Sequence, residues 1–238
     1  MAEQEETDLT SEVVDTFDST FEKGNLADMF SQVGEFAVDQ AIKNDVLKDV
    51  PVFGLLISGY KTIVNIKDYN LTRKVFRFLY HLQDTTPNER QRFSQKYCEA
   101  NKEKTSVALL NVLDQLNNAN MVPVICNLIK AVIYEKITIN QFNRLIMAIL
   151  RTAYTDLKQL PKYQEEYDEE GLTDSLLAAG LIYQSTYDGG HADNEDCNNK
   201  FLISSNGSLL LKYGLELANV EEKPRQTEIS AGTFWHNL

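Results

Sequence analysis

Within seven residues, His191, Asp193, Glu195, Asp196 and Cys197 gather one imidazole, three carboxylates and a thiol. Such atoms ligate metals. Their spacing matches no closed zinc pattern, and the segment lacks the glycine and terminal glutamate of a calcium loop. A solvated acidic loop is the expectation. Nucleophilic catalysis needs a base within reach of a nucleophile and a third group to orient it. His81, His191 and His236 fall at a helix end, in a loop tip and in the C-terminal tail, none beside a serine or cysteine with an orienting group. Cys98 and Cys126 lie in helical segments and are expected to be inert core thiols. Neither G-x-x-x-x-G-K-[ST] nor G-x-G-x-x-G occurs. Carboxylates are abundant but cluster on the acidic flanks, away from apolar helix faces. The expectation is a non-enzymatic protein with no catalytic, cofactor-binding or metal-ligating residues, and no cofactor.

Other residues stand out by charge and by apolarity. Lys67, Arg73, Lys74 and Arg77 form a basic patch opposed only by Asp68, suited to a lipid surface or an acidic partner. Just before it runs the apolar segment Val52 to Ile66, with Phe53, Leu55, Leu56 and Ile57. The uncharged run from Val50 to Tyr60 is 11 residues, and a membrane-spanning helix needs about 20. The segment is therefore the most buried helix of a bundle or, as the second reading, a membrane-inserting wedge. An apolar wedge beside a basic cluster is the composition of a peripheral membrane binder. At the far end, Phe234 and Trp235 place aromatic rings in a polar tail. They either pack back or dock into a partner.

Helices must position these residues. Leu26, Met29, Phe30, Val33, Phe36 and Ala37 recur at helical spacing and predict a helix over 25–47. Further helices are expected over 52–66, 70–82, 87 onward, 105–116, 121–135 and 138–160. Thr86-Pro87-Asn88-Glu89 and Thr138 with Gln141 have the form of helix starts. Asn117-Asn118-Ala119-Asn120 is a break. After Pro161 the pattern changes to a short helix at Thr173, a strand over 181–187, a turn at Asp188-Gly189-Gly190, a return strand over 200–204 and a last helix over 208–217. The fold class expected is mainly α: a helical bundle followed by a small winged-helix-like α+β subdomain. The boundaries are an acidic flexible segment at 1–23, the bundle at 24–160, the winged-helix-like unit at 161–218 and a flexible tail at 219–238.

The chain has 238 residues with Lys+Arg 23 and Asp+Glu 35, a formal charge of −12. The imbalance is segregated: residues 1–50 carry −10, residues 51–150 carry +6 and residues 151–238 carry −8. With 43% hydrophobic residues, 11 Gly and 5 Pro, collagen-like and wholly disordered classes are excluded. A DNA-binding winged helix neutralises phosphates with Lys and Arg. The acidic C-terminal unit would repel them, so DNA is not its expected partner. Protein binding or self-association is. Three scattered cysteines and an acidic N-terminus argue against a disulfide scaffold and a secretory leader. A cytoplasmic location is expected, peripheral at the inner face of the membrane under the wedge reading.

The segments Val50 to Leu82 and Leu172 to Gly214, the first joining a Pro/Gly-interrupted apolar helix to a basic helix, together resemble the uncharacterised bacterial helical proteins of the abortive-infection alpha type. The resemblance spans roughly half the chain, rests on pattern and order, and carries over no catalytic motif. It implies a bacterial or prophage protein in phage defence.

Overall fold

The computed structural model describes residues 2–31, 50–62, 66–165, 173–185 and 200–215, with backbone alone at 2–10, 57–62, 66–68 and 173. The described chain is mainly helical, with one small antiparallel ribbon. Helices run in the order α1 (Ala2–Lys23), α2 (Leu26–Phe30), α3 (Pro51–Thr62), α4 (Ile66–His81), α5 (Pro87–Asn101), α6 (Thr105–Gln115), α7 (Val122–Ile133), α8 (Ile139–Arg151) and α9 (Tyr154–Leu157). A 3₁₀ turn, Ala119–Met121, leads into α7, and another, Leu160–Gln164, follows α9. Then come α10 (Thr173–Ala178), β1 (Ile182–Ser185), β2 (Lys200–Ile203) and α11 (Ser205–Leu210), which runs into a π-turn at Leu211–Leu215.

The first correction concerns the N-terminus. Residues 1–23 were expected to be a flexible acidic segment, but 2–23 form a helix of 22 residues. Its acids are read correctly as solvent-facing groups. What tips the balance is Phe17 and Phe21, both at 0% exposure. Their rings stack at 6.1 Å, and each meets Phe78, at 6.0 and 5.8 Å. Burying two phenyl rings contributes about 1.5–3 kcal/mol each. Lys104 adds ion pairs to Asp15 at 2.9 Å and Asp18 at 3.5 Å.

Arg90 holds the end of this helix. It was expected on a solvated face but is wholly buried. Its guanidinium donates to the carbonyls of Phe21, Gly24 and Thr85, and to the Thr85 hydroxyl. The last carbonyls of a helix have no intrahelical donor, and here one planar fork supplies several. Burial pulls the Arg90 guanidinium down to about 10, with Glu89 opposing that shift.

The helix starts behave as their sequences imply. Thr86 with Glu89 and Thr138 with Gln141 both form reciprocal capping boxes. α8 ends earlier than the expected 160. Thr152 is extended and its hydroxyl turns back to Ala148 O at 2.8 Å, so α9 and the 3₁₀ turn are separate pieces. The predicted helix over 25–47 is described only as α2, and the rest lies outside the described residues.

The ribbon pairs Ile182 with Ile203 and Ser185 with Lys200. Gly180, just before it, has φ +70, the left-handed conformation expected at that helix end. The last helix begins at Ser205 rather than 208, because Ser204 caps it by accepting from Gly207 N at 3.0 Å. A Cβ at Gly207 would lie 2.0 Å from Leu181 O, so only glycine permits this crossing. The π-turn then packs on α7, where Asn127 Nδ2 donates to Gly214 O at 2.8 Å. Buried residues from Phe17 to Leu211 form one continuous cluster.

A candidate anion-binding cleft

α4 buries Thr72, Val75, Phe76, Phe78 and Leu79. The complementary stripe, Asn70, Arg73, Lys74 and Arg77, has spacings of three and four and so shares one face. Opposite it stands the loop between α6 and α7. Leu116 and Met121, at 3% and 1% exposure, pin that loop into the core at both ends. Asn117, Asn118 and Asn120 occupy the span between. Asn118 fixes its shape, its side chain accepting from Asn120 N at 2.9 Å. The two walls enclose a cleft of about 350 Å³ lined by Asn70, Arg73, Lys74, Arg77 and residues 116–120. No carboxylate is among these lining residues.

Each cation is held. Lys74 is 8% exposed and donates to Asp114 O at 2.9 Å. Burial lowers its ammonium below the usual lysine value, and the negative Asp114 partly restores it. Arg77 Nη1 donates to Asn120 Oδ1 at 2.9 Å, and its Nε is enclosed with no hydrogen-bond acceptor among the described residues. Arg73 stands over the Tyr69 ring, 5.8 Å from its centre. Three of the four expected patch residues therefore converge on one cleft. Lys67 belongs to the first turn of α4, and its side chain lies outside the described residues.

The other expected site residues separate. Phe53 and Leu56 are buried and Leu55 is half-buried. Phe53 meets Phe76 at 5.8 Å and Phe30 at 6.5 Å, as a core side chain does. The side chain of Ile57, the tail residues Phe234 and Trp235, His236 and the cluster from His191 to Cys197 lie outside the described residues. Among the described residues no helix is long and apolar enough to cross a membrane, and no group of three metal-ligating side chains gathers.

The two described thiols part company. Cys126 is buried, its Sγ 3.5 Å from Phe78 O, and burial pushes its thiol strongly up. Cys98, expected in the core, is exposed on α5. The apolar positions of that helix, Phe93 and Tyr97, face α8 through Phe142, which leaves Cys98 on the solvent side. A second hollow, of about 480 Å³ beside α1, is lined by Ser11, Glu12, Asp15, Thr16, Ser19, Thr20 and Pro51. Its Thr16 and Thr20 hydroxyls are spent on carbonyls of their own helix.

Sequence reasoning missed the asparagine wall. It read residues 117–120 as a helix break, which they are, but not as the partner of a charged stripe some forty residues earlier. No protein-family model, curated protein or solved structure matches this chain.

Proposed function

We propose that the chain is a non-enzymatic binding protein that takes an anionic ligand in the cleft between α4 and the 116–120 loop. One observation carries this reading. Arg73, Lys74 and Arg77 converge on a polar cavity whose lining includes no acid, in a protein of net charge −12. Placing cations together costs energy that an incoming anion relieves. The test is thermal unfolding at fixed ionic strength with phosphate, sulfate or citrate replacing chloride. The oxyanions raise the midpoint of the natural protein and leave that of an Arg73→Gln, Arg77→Gln double variant unmoved. Equal shifts in the two proteins defeat the reading.

A second reading rests on a different surface. Leu177 on α10 and Tyr183 on β1 are exposed at 40% and 49%, on the acidic C-terminal unit. We take this unit to be winged-helix-like and to bind a protein or a second copy of itself, with DNA repelled. Deleting the unit is a poor test, because its π-turn packs on α7. Leu177→Glu with Tyr183→Glu keeps the core. Loss of a dimer in sedimentation supports self-association, and an unchanged monomer removes it. The resemblance to abortive-infection alpha proteins supplies a cytoplasmic bacterial setting, phage defence. Plaque counts on cells expressing the natural protein and the cleft variant test it.

A further inference from the structure

We infer that the cleft receives a phosphate monoester, carried by a soluble molecule or by a lipid headgroup. The inference rests on the anion-binding reading and names the anion.

Charge is the first argument. Arg73, Lys74 and Arg77 bring three positive charges, and Asp114, whose carbonyl holds Lys74, brings one negative charge at the margin. The excess is two. A phosphate monoester carries about −1.5 to −2 at neutral pH, so it balances the site. A carboxylate or a phosphodiester carries one charge and leaves a cation uncompensated.

Donor geometry is the second. Arg73 and Arg77 lie one helical turn apart, with Lys74 adjacent. Two planar forks and a compact ammonium suit an ion with three terminal oxygens. Arg77 already spends Nη1 on Asn120 while its enclosed Nε lacks an acceptor. Leaving such a donor unmet costs about 1–3 kcal/mol, and a small turn of the guanidinium onto a phosphate oxygen removes that cost. The side-chain amides of Asn70 and Asn117 stand at the rim.

Lining is the third. Apart from Leu116 and Ala119 every lining residue is polar or charged. Sites for drug-like molecules are mostly apolar. The body attached to the phosphate is therefore small and hydroxylated, as glycerol or a sugar is.

The test is calorimetric titration of the full chain with glycerol 3-phosphate, with a glycerol phosphodiester and with acetate. In parallel, the chain is floated on vesicles of phosphatidylcholine doped with phosphatidic acid or with phosphatidylglycerol. The monoester binds about tenfold or more tighter than the diester or acetate, and Arg77→Gln weakens it about tenfold with an unchanged circular dichroism spectrum. Arg73→Gln serves as the second variant should Arg77→Gln disturb the fold. Preference for phosphatidic acid vesicles over the soluble ester assigns the phosphate to a lipid, and the reverse preference assigns it to a free molecule. Either supports the inference. Equal binding of all three anions, lost in the variants, overturns the phosphate inference and leaves the anion reading standing. Monoester affinity untouched by both variants overturns both. Absence of monoester binding in solution and on vesicles overturns the inference.

Discussion

Arg90 holds a full positive charge out of water with carbonyl oxygens about it and no carboxylate among its hydrogen-bond partners. Removing it strands three backbone acceptors that sit in two separate parts of the fold. Arg90→Ala is expected to cost about 3 kcal/mol or more, at about 1–3 kcal/mol for each unmet group, read as a lower midpoint in urea. Arg90→Lys recovers little, because a single ammonium cannot reproduce the planar fork. Lys74 has the opposite balance. Its pKa is lowered in the folded state by burial, so the unfolded chain binds its proton more tightly. The protonated lysine thus costs stability at neutral pH, and the cost fades as pH rises through the lowered value toward the ordinary one of 10.5. Lys74→Met should raise the thermal midpoint at pH 7, flatten that alkaline rise, and abolish anion binding. Such a trade marks a residue kept for use rather than stability. The thiols give a third check. Iodoacetamide on the native protein should label Cys98 and spare Cys126 until denaturant is added, as peptide mass mapping reads directly.

At the scale of elements, the crossing of α11 over the start of β1 depends on one missing methyl group. Gly207→Ala forces a Cβ into Leu181 O and should cost about 1–3 kcal/mol, the usual range for overpacking. Phe53→Ala should cost about 3–5 kcal/mol, since α3 is a core helix packed on Phe76. Both losses are measurable by denaturant titration. These elements differ in how far a reader of residues alone could see them. The capping boxes of α5 and α8 are visible because a cap is chemistry within four positions. The left-handed Gly180 is visible for the same reason. α1 is obscured because its acids describe only the outward face, and the rings that bury Phe17 and Phe21 come from Phe78 and Phe93, far along the chain. The cleft is half legible. Spacing places the cations of α4 on one face, but the Arg77–Asn120 bond joins residues 43 apart, and no periodicity reports such a pairing. The run of asparagines was the available signal.

For the molecule as a whole, the single buried cluster from Phe17 to Leu211 predicts one cooperative unfolding transition. Helix loss by circular dichroism and the opening of amides in α1, α7 and α11 by hydrogen exchange should share one midpoint. A separate, earlier melting of residues 173–215 would show that the C-terminal unit folds on its own. The charge segregation has a role here too. α1 and the C-terminal unit keep the surface acidic, which favours solubility, while the α4 stripe keeps cations in one recess. The docking of α1 also sets a timetable. Its phenylalanines leave the ribosome well before Arg90, 69 positions after Phe21, exists to hold them. At about 5–20 residues per second, that wait is about 3–14 s. During it, the acidic residues between Glu3 and Glu22 are what keeps two bare aromatic rings from finding the wrong neighbour.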